Sequence, residues 1–218
     1  MKFKSDRCDK SGTAGKRRGR PPAFNREEVL EKAARLFWSR GYEGTSIADL
    51  TRAMGITPQS LYAAFHSKAD LYREALKWYG STQGTLSADA LDAPDVLETL
   101  AAWLDSQASA FAEAETPPGC MISTAVLGCA EENDPIARQV SYLRTATITR
   151  IRDRLERARS EGELAAGTDT TAIARFVGAI IQGMSVQARD GATHSDLAAV
   201  ARLASIEIRR HRAARTHR

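Results

Sequence analysis

The stretch TPQSLYAAFHSKADL, residues 57–71, decides the fold. Thr57 followed by Pro58 is a helix start. The threonine hydroxyl caps, and proline suits the first helical position because its missing N–H would have no partner there. Ser67 with Asp70 three residues on is a second start. Only nine residues lie between Thr57 and Ser67. The chain therefore builds a helix of about two turns, stops, and starts another at once.

The residues just before explain why. A helix beginning at Thr45 or Ser46, with Asp49 at its third position, buries Ile47, Leu50 and Met54 and is stopped by Gly55. The turn MGIT then joins it to the short helix, Gly55 supplying backbone freedom and Ile56 filling the gap. Upstream, FNREEV is a complete helix start: Asn25 as cap, Glu28 closing a capping box, Phe24 and Val29 as a hydrophobic staple. That helix presents Val29, Leu30, Ala33, Leu36 and Phe37 as one stripe and ends at Gly41. Three short helices with a tight turn between the last two describe a helix-turn-helix.

The short helix divides its residues by role. Leu61 and Phe65 face a small core with Leu36, Phe37, Ile47 and Leu50, which leaves Gln59, Ser60, Tyr62 and Ala63 outside. This outer face is small, polar and free of acids, as a helix entering a major groove requires. The first N–H groups of the following helix form an anion site to which Lys68 adds a cation. The DNA-contacting candidates are Thr45, Ser46, Thr57, Pro58, Gln59, Ser60, Tyr62, Ala63, His66 and Lys68. Each has a plainer alternative: half-buried packing for Tyr62, a solvated charge for Lys68, ordinary surface for Gln59 and Ser60, a loop position for His66.

Charge supports a polyanion partner. Residues 1–23 hold eight Lys/Arg against Asp6 and Asp9, a net of +6, and residues 207–218 hold five Arg against Glu207, a net of +4. The whole chain carries +4, so the body 24–206 carries −6. A basic leading arm on an acidic body suits a partner approached from one end. In KRRGRPP, residues 16–22, Arg18-Gly19-Arg20-Pro21 resembles an AT-hook core. Arg18 and Arg20 would then enter a narrow minor groove, glycine leaving no side chain to strike its wall. The alternative is a flexible basic tail that adds only counterion-release affinity.

Beyond residue 79 the helical pattern lengthens. After the soft stretch GSTQGTLSADALDAPD, helices are expected near 95–113, 119–131, 135–160, 169–190 and 196–212, with Ser195 capping the last. With no alternating strand pattern, the chain is all-α: a three-helix N-terminal domain followed by a C-terminal helical bundle, about nine helices in total. The expected divisions are a basic arm over 1–23, a helix-turn-helix domain over 24–70, a ligand-binding and dimerisation domain over 71–212, and a basic tail over 213–218.

The helix at 169–190 carries Ile173, Val177, Ile180, Ile181 and Met184 on one side, with Phe176, Gly183 and Gln187 more to the other. With Leu197, Val200, Ala201, Ala204 and Ile208 of the last helix, it can meet its symmetry mate in a four-helix bundle. The alternative assigns both stripes to the core of one subunit. Candidates for lining an effector cavity are Trp103, Gln107, Phe111, Met121, Tyr142, Thr145, Ile148, Phe176 and Ile180.

No catalytic arrangement is legible: no Ser-His-Asp order, phosphate loop, carboxylate pair or dinucleotide fingerprint. No cofactor or metal is expected, and the chain does not read as an enzyme. Cys8, Cys120 and Cys129 follow no ligand spacing, which suits a reduced, cytoplasmic protein. No run of 18 apolar residues exists, and the basic N-terminus lacks the apolar stretch of a secretory signal.

The run GYEGTSIADLTRAMGITPQSLYAAFHSKADLYREAL resembles the DNA-binding domain of TetR-type transcriptional regulators. The Gly-Tyr pair, the LYxxF of the third helix and the SKxxL opening the fourth carry the likeness, which is strong over 24–79 and weaker beyond. The segment PPGCMISTAVLGCAEENDP resembles a stretch of one subset of that family, where a Gly-Cys pair opens the sixth helix. The resemblance implies about nine helices, a homodimer through the last two long ones and an effector cavity in each subunit. The implied function is a dimeric repressor that binds a palindromic operator in double-stranded DNA and is released by a small organic effector. The alternative is a constitutive DNA-binding architectural protein without an effector.

Overall fold

Every helix start in the N-terminal region is set by a side chain that takes up a backbone N–H. The structure, a computed structural model, describes residues 24–83, 86, 88–126 and 130–214. In α1 (Arg26–Arg40) the Asn25 side chain accepts from the Glu27 N–H, and Gly41 ends the helix at φ 74°. In α2 (Ile47–Met54) Ser46 and Asp49 cap each other reciprocally, and Gly55 closes the helix in the left-handed region at φ 71°, ψ 31°. Thr57 accepts from Ser60 at the start of α3 (Pro58–Phe65), and Ser67 from Asp70 at the start of α4 (Lys68–Thr82). Each such cap contributes about 1 kcal/mol.

The remainder is α5 (Ala88–Leu91), α6 (Val96–Phe111), a 3-10 turn at Glu131–Asn133, α7 (Asp134–Ser160), α8 (Thr170–Arg189) and α9 (His194–Arg209). Among the described residues there is no strand, only one isolated bridge between Leu164 and Arg212. The fold is all-α.

Helix α4 packs along α1, α6 along α9, and α7 and α9 against α8. A single apolar core runs from Val29 in α1 to Ile208 in α9. The head is anchored by aromatic edges: Trp38 meets Tyr79 edge-on with centroids 4.9 Å apart, and Phe37 meets Tyr72 at the same distance. The buried Arg154 ties α7 to the stretch after α5, donating to the carbonyls of Leu91 at 2.8 Å and Ala93 at 3.0 Å and pairing with Glu163.

The structure corrects several expectations. The helix expected over 119–131 does not form: residues 121–124 are turns, and Val126 has φ 47°. Two backbone carbonyls that such a helix would use, those of Ile122 and Ala125, instead accept from Arg144 at 3.1 and 2.9 Å. β-branched residues at 122, 124 and 126 weaken the helical alternative. The soft stretch contains the short α5. The last helix is capped by Thr193, not Ser195, in a reciprocal box with Asp196. At α1, Glu28 accepts from the Asn25 side-chain amide at 3.0 Å rather than from a backbone N–H.

Candidate nucleic-acid interface and ligand cavity

Helix α3 projects from the head because its inner residues are anchored completely. Leu61 and Phe65 are fully buried, and the Arg26 guanidinium lies 4.6 Å from the centre of the Phe65 ring. With that side fixed, Gln59, Tyr62, Ala63 and His66 stand exposed at helical spacing, all on one face. Tyr62 is 47% accessible, which leaves about half of its surface open to solvent. Thr57 and Pro58 are exposed at the helix start, and the hydroxyls of Thr57 and the half-buried Ser60 lie 3.0 Å apart. No acid occurs in α3.

The flanking groups are more constrained than the sequence suggests. Thr45 is fully buried and donates its hydroxyl to the Gly41 carbonyl at 2.7 Å. It has no free surface to offer, so the sequence expectation for it fails; a small hydroxyl residue there braces the turn. Ser46 is exposed, but its hydroxyl donates to Asp49 at 2.6 Å. Lys68 is half-buried, its ammonium 4.2 Å from the centre of the Tyr42 ring. Burial pulls its pKa down, opposed in part by Glu43. The Ser67 hydroxyl holds Asp70 below the usual carboxylate range, as does Arg73. His66 is exposed with φ 64°, a strained setting outside glycine. Two exposed cations that spacing did not single out, Arg40 and Arg52, stand beside the α2 start through Asp49 at 3.5 and 3.4 Å. Arg18 and Arg20 lie outside the described residues.

A second feature lies in the helical bundle. A cavity of about 100 Å³ is walled by Tyr79 of α4 and Gln83 just past its end, Trp103 and Gln107 of α6, Arg144, Thr147, Ile148 and Ile151 of α7, Gly178, Ile181 and Gln182 of α8, and Cys120, Ile122 and Ser123 between α6 and α7. Leu86 and Arg150 complete it. Of the expected lining residues, Trp103, Gln107 and Ile148 are present. Phe111 and Met121 are buried in the core and, like Ile180, are not among the lining residues. Tyr142 and Thr145 face solvent, because the inward stripe of α7 runs through 144, 148 and 151. That helix is polar on most sides, so its periodicity did not fix a register. Phe176 faces outward into a different cleft, with Ile173 and Ile208.

Cavity and head are joined by hydrogen bonds. The Trp38 indole N–H donates to the Gly119 carbonyl at 2.9 Å, and the Cys120 N–H donates to the Ser185 hydroxyl at 2.7 Å. Arg189 of α8 donates to the carbonyls of Trp38 at 3.0 Å and Ser39 at 2.8 Å. Glu43, in the turn before α2, accepts from Asn133 at 2.7 Å.

Two helices keep apolar groups outside. Phe176 and Val186 of α8 and Leu203 and Ile206 of α9 are exposed. Among the residues expected there, Ile173, Val177, Ile181, Met184, Leu197, Ala201, Ala204 and Ile208 are buried within the subunit, and Val200 partly. These stripe residues named from the sequence thus serve the core of one subunit, and the exposed apolar groups form a separate set. Among the described residues no helix is long and apolar enough to cross a membrane, and no cluster of metal-ligating side chains occurs.

Residues 29–75 match the family described as bacterial regulatory proteins, tetR family, and residues 96–204 match the tetracyclin repressor-like C-terminal domain. The chain is 33% identical over 195 residues to the HTH-type transcriptional repressor ComR of Escherichia coli K12, covering 88% of this chain and 93% of ComR. It is 31% identical over 194 residues to the repressor BdcR of the same strain, covering 88% of this chain and 92% of BdcR. Among solved structures, a cysteine-substituted form of the TetR family regulator CifR, complexed with 26-bp double-strand operator DNA, superposes with a TM-score of 0.82. That match is 41% identical and covers 86% of this chain and 98% of CifR.

Proposed function

The chain belongs to the TetR family of bacterial transcriptional regulators, and from that premise we propose that it represses transcription by seating α3 of each subunit in the major groove of a palindromic operator. The observation that carries this reading is the acid-free outer face of α3, held rigid by the burial of Leu61 and Phe65. Gln59, Ala63 and the N-terminal residues Thr57, Pro58 and Ser60 lie against bases. Tyr62, His66, Lys68 and Ser46 serve phosphates, and Arg40 and Arg52 join them. Base contacts specify, and phosphate contacts position.

Two copies pair through α8 and α9, covering Phe176, Val186, Leu203 and Ile206. The reading requires the two α3 helices of the dimer to stand about 34–36 Å apart, one turn of duplex. Residues 24–70 form the reading head and 71–212 the dimerising, ligand-binding part, with the arm over 1–23 adding affinity through Arg18 and Arg20. The protein works in the cytoplasm, without enzymatic activity of its own.

The cavity receives a small organic effector. Its wall includes Tyr79 of α4, the helix that leads directly from the head, Gln83 at that helix's end, and also the segment hydrogen-bonded to Trp38. A ligand that moves either element alters the separation of the two heads. To move the population almost completely, it must favour the released state by about 5.5 kcal/mol. Selection of duplexes from a random library, followed by gel-shift titration in moderate salt, tests the reading. A palindromic site bound by the dimer is expected. A folded dimer that binds every duplex equally, or none, overturns it.

A further inference from the structure

The cavity holds positive charge and no negative charge. Arg144 and Arg150 are among its lining residues, and no Asp or Glu is. Arg150 is exposed, and among the described residues it makes no ion pair. Arg144 is half-buried, and burial pulls its pKa down. The groups acting on it are Tyr72 and Cys120, with no carboxylate among them. A desolvated cation without a counter-ion is costly, and an anion placed beside it removes that cost.

The guanidinium is used on one side only. Its Nη1 donates to the carbonyls of Ile122 and Ala125. Among the described residues, its Nε and Nη2 have no hydrogen-bond partner, and neither atom is sealed inside the protein. That free edge is the fork that accepts a carboxylate through two parallel bonds. The rest of the wall combines an apolar part, with Trp103, Ile148, Ile151 and Ile181, and neutral polar groups such as Gln83, Gln107 and Gln182. A volume of about 100 Å³ falls well short of the roughly 300–1,000 Å³ of a drug-sized site.

We propose that the effector of this regulator is a small organic monocarboxylate, a short chain or single ring, whose carboxylate is held by Arg144 and whose apolar end lies between Trp103 and the isoleucines of α7 and α8. The inference rests on the proposed effector-responsive reading and deepens it. Arg144 also braces the segment from Gly119 to Ala125 through the carbonyls of Ile122 and Ala125, and the Gly119 carbonyl of that segment accepts from Trp38. An anion on the free edge competes for the cation that holds this segment in place, and so reaches the head.

Calorimetry on the full-length dimer tests this, with benzoate and hexanoate each compared with its uncharged amide, benzamide and hexanamide. The carboxylates are expected to bind at least about tenfold more tightly than the amides, the discrimination of a charge-assisted hydrogen bond. R144Q is expected to remove that preference and R144K to retain part of it. Carboxylates that bind no better than their amides to the unaltered protein overturn the inference without recourse to any variant. Operator binding, measured separately in the absence of ligand, isolates the underlying reading. A dimer that binds its operator but shows no carboxylate preference leaves the regulator intact and removes only the anionic effector.

Discussion

The indole N–H of Trp38 donates to the carbonyl of Gly119 at 2.9 Å, from the last turn of α1 to the segment that walls the cavity. Trp38 is also edge-on to Tyr79, a second cavity residue. One side chain in the reading head thus touches a wall residue, Tyr79, and the residue next to another, Cys120. Trp38→Phe keeps an aromatic ring against Tyr79 and leaves the Gly119 carbonyl without its donor. The expected cost is about 1–3 kcal/mol of stability, as for any buried acceptor left unpaired. Operator affinity is expected to change little, while release by a ligand is blunted. Urea unfolding and operator titrations with and without ligand check both halves, and an undiminished ligand response refutes the coupling.

On α3 the prediction separates specificity from anchoring. Gln59→Ala is expected to relax preference at one base pair of each half-site, at about 1–3 kcal/mol for the preferred base. Tyr62→Phe is expected to weaken binding uniformly across sequences. Lys68→Ala is expected to lower the salt dependence by about one unit of slope. It also removes the ammonium from the face of Tyr42, so its thermal stability is to be measured in parallel. The same loss of affinity on every sequence for Gln59→Ala contradicts its placement against a base.

The dimer face yields a sharper test. Leu203 is 71% accessible in the single subunit, and Ile206 and Val186 are about half accessible. Burying a Leu or Ile side chain fully contributes about 1.5–3 kcal/mol. Leu203→Glu adds the penalty of burying a charge and is expected to give a folded monomer in sedimentation, with operator binding lost along with the dimer. A Leu203→Glu dimer of unchanged strength places the interface elsewhere.

Much of the reading head was legible because its signals are local. Ser46, Thr57 and Ser67 announce caps at fixed offsets, and Gly55 announces the left-handed turn, so three helices follow from neighbouring residues alone. The cavity was far less legible. In α7, Arg144 and Tyr142 are equally plausible inward residues from periodicity, since Arg154 further along is buried despite its charge. Register there is decided by what α7 packs against, and the carbonyls of Ile122 and Ala125 that receive Arg144 come from a segment with helical-looking spacing. Thr45 fails for a related reason: a hydroxyl beside a turn suits a phosphate or a backbone carbonyl, and only the fold selects between them.

The pH dependence has a definite sign. Asp95 caps α6, and a hydrogen bond from Arg212 chiefly holds its carboxyl below the usual aspartate range; Glu98 is held low chiefly by Arg209. A group depressed in the folded state stabilises above its unfolded pKa, about 3.9 for aspartate, and ceases to as pH falls through the folded value. The contribution is therefore complete above about pH 5 and lost progressively below about pH 4. Asp95→Asn keeps a capping oxygen but loses the charge. Its urea midpoint is expected to fall below that of the unaltered protein at pH 7 and to converge on it in acid. A constant gap across that range would assign the effect to geometry and not to charge.

Gly119 is the position where backbone and packing leave no latitude. Its φ is +74°, and a Cβ built there would lie 2.5 Å from the Ser185 carbonyl oxygen and 2.9 Å from its hydroxyl. The left-handed conformation alone costs a non-glycine residue about 1–2 kcal/mol. The clash is with backbone, so it cannot be relieved by rotating a side chain. Gly119→Ala must therefore move the segment away from α8, lengthening the Cys120–Ser185 and Trp38–Gly119 hydrogen bonds together. A loss of more than about 2 kcal/mol is expected, accompanied by an altered ligand response. Gly178→Ala serves as the contrast. Its Cβ would meet only the Ile148 side chain, at 2.9 Å from Cγ1 and 3.0 Å from Cδ1. That side chain can shift, at the expense of the cavity it lines. Gly178→Ala is accordingly expected to fold with a smaller loss and to bind ligand less well. Chemical denaturation of both variants decides the matter: equal stabilities would mean that the Gly119 segment is not held against α8 as tightly as its contacts require.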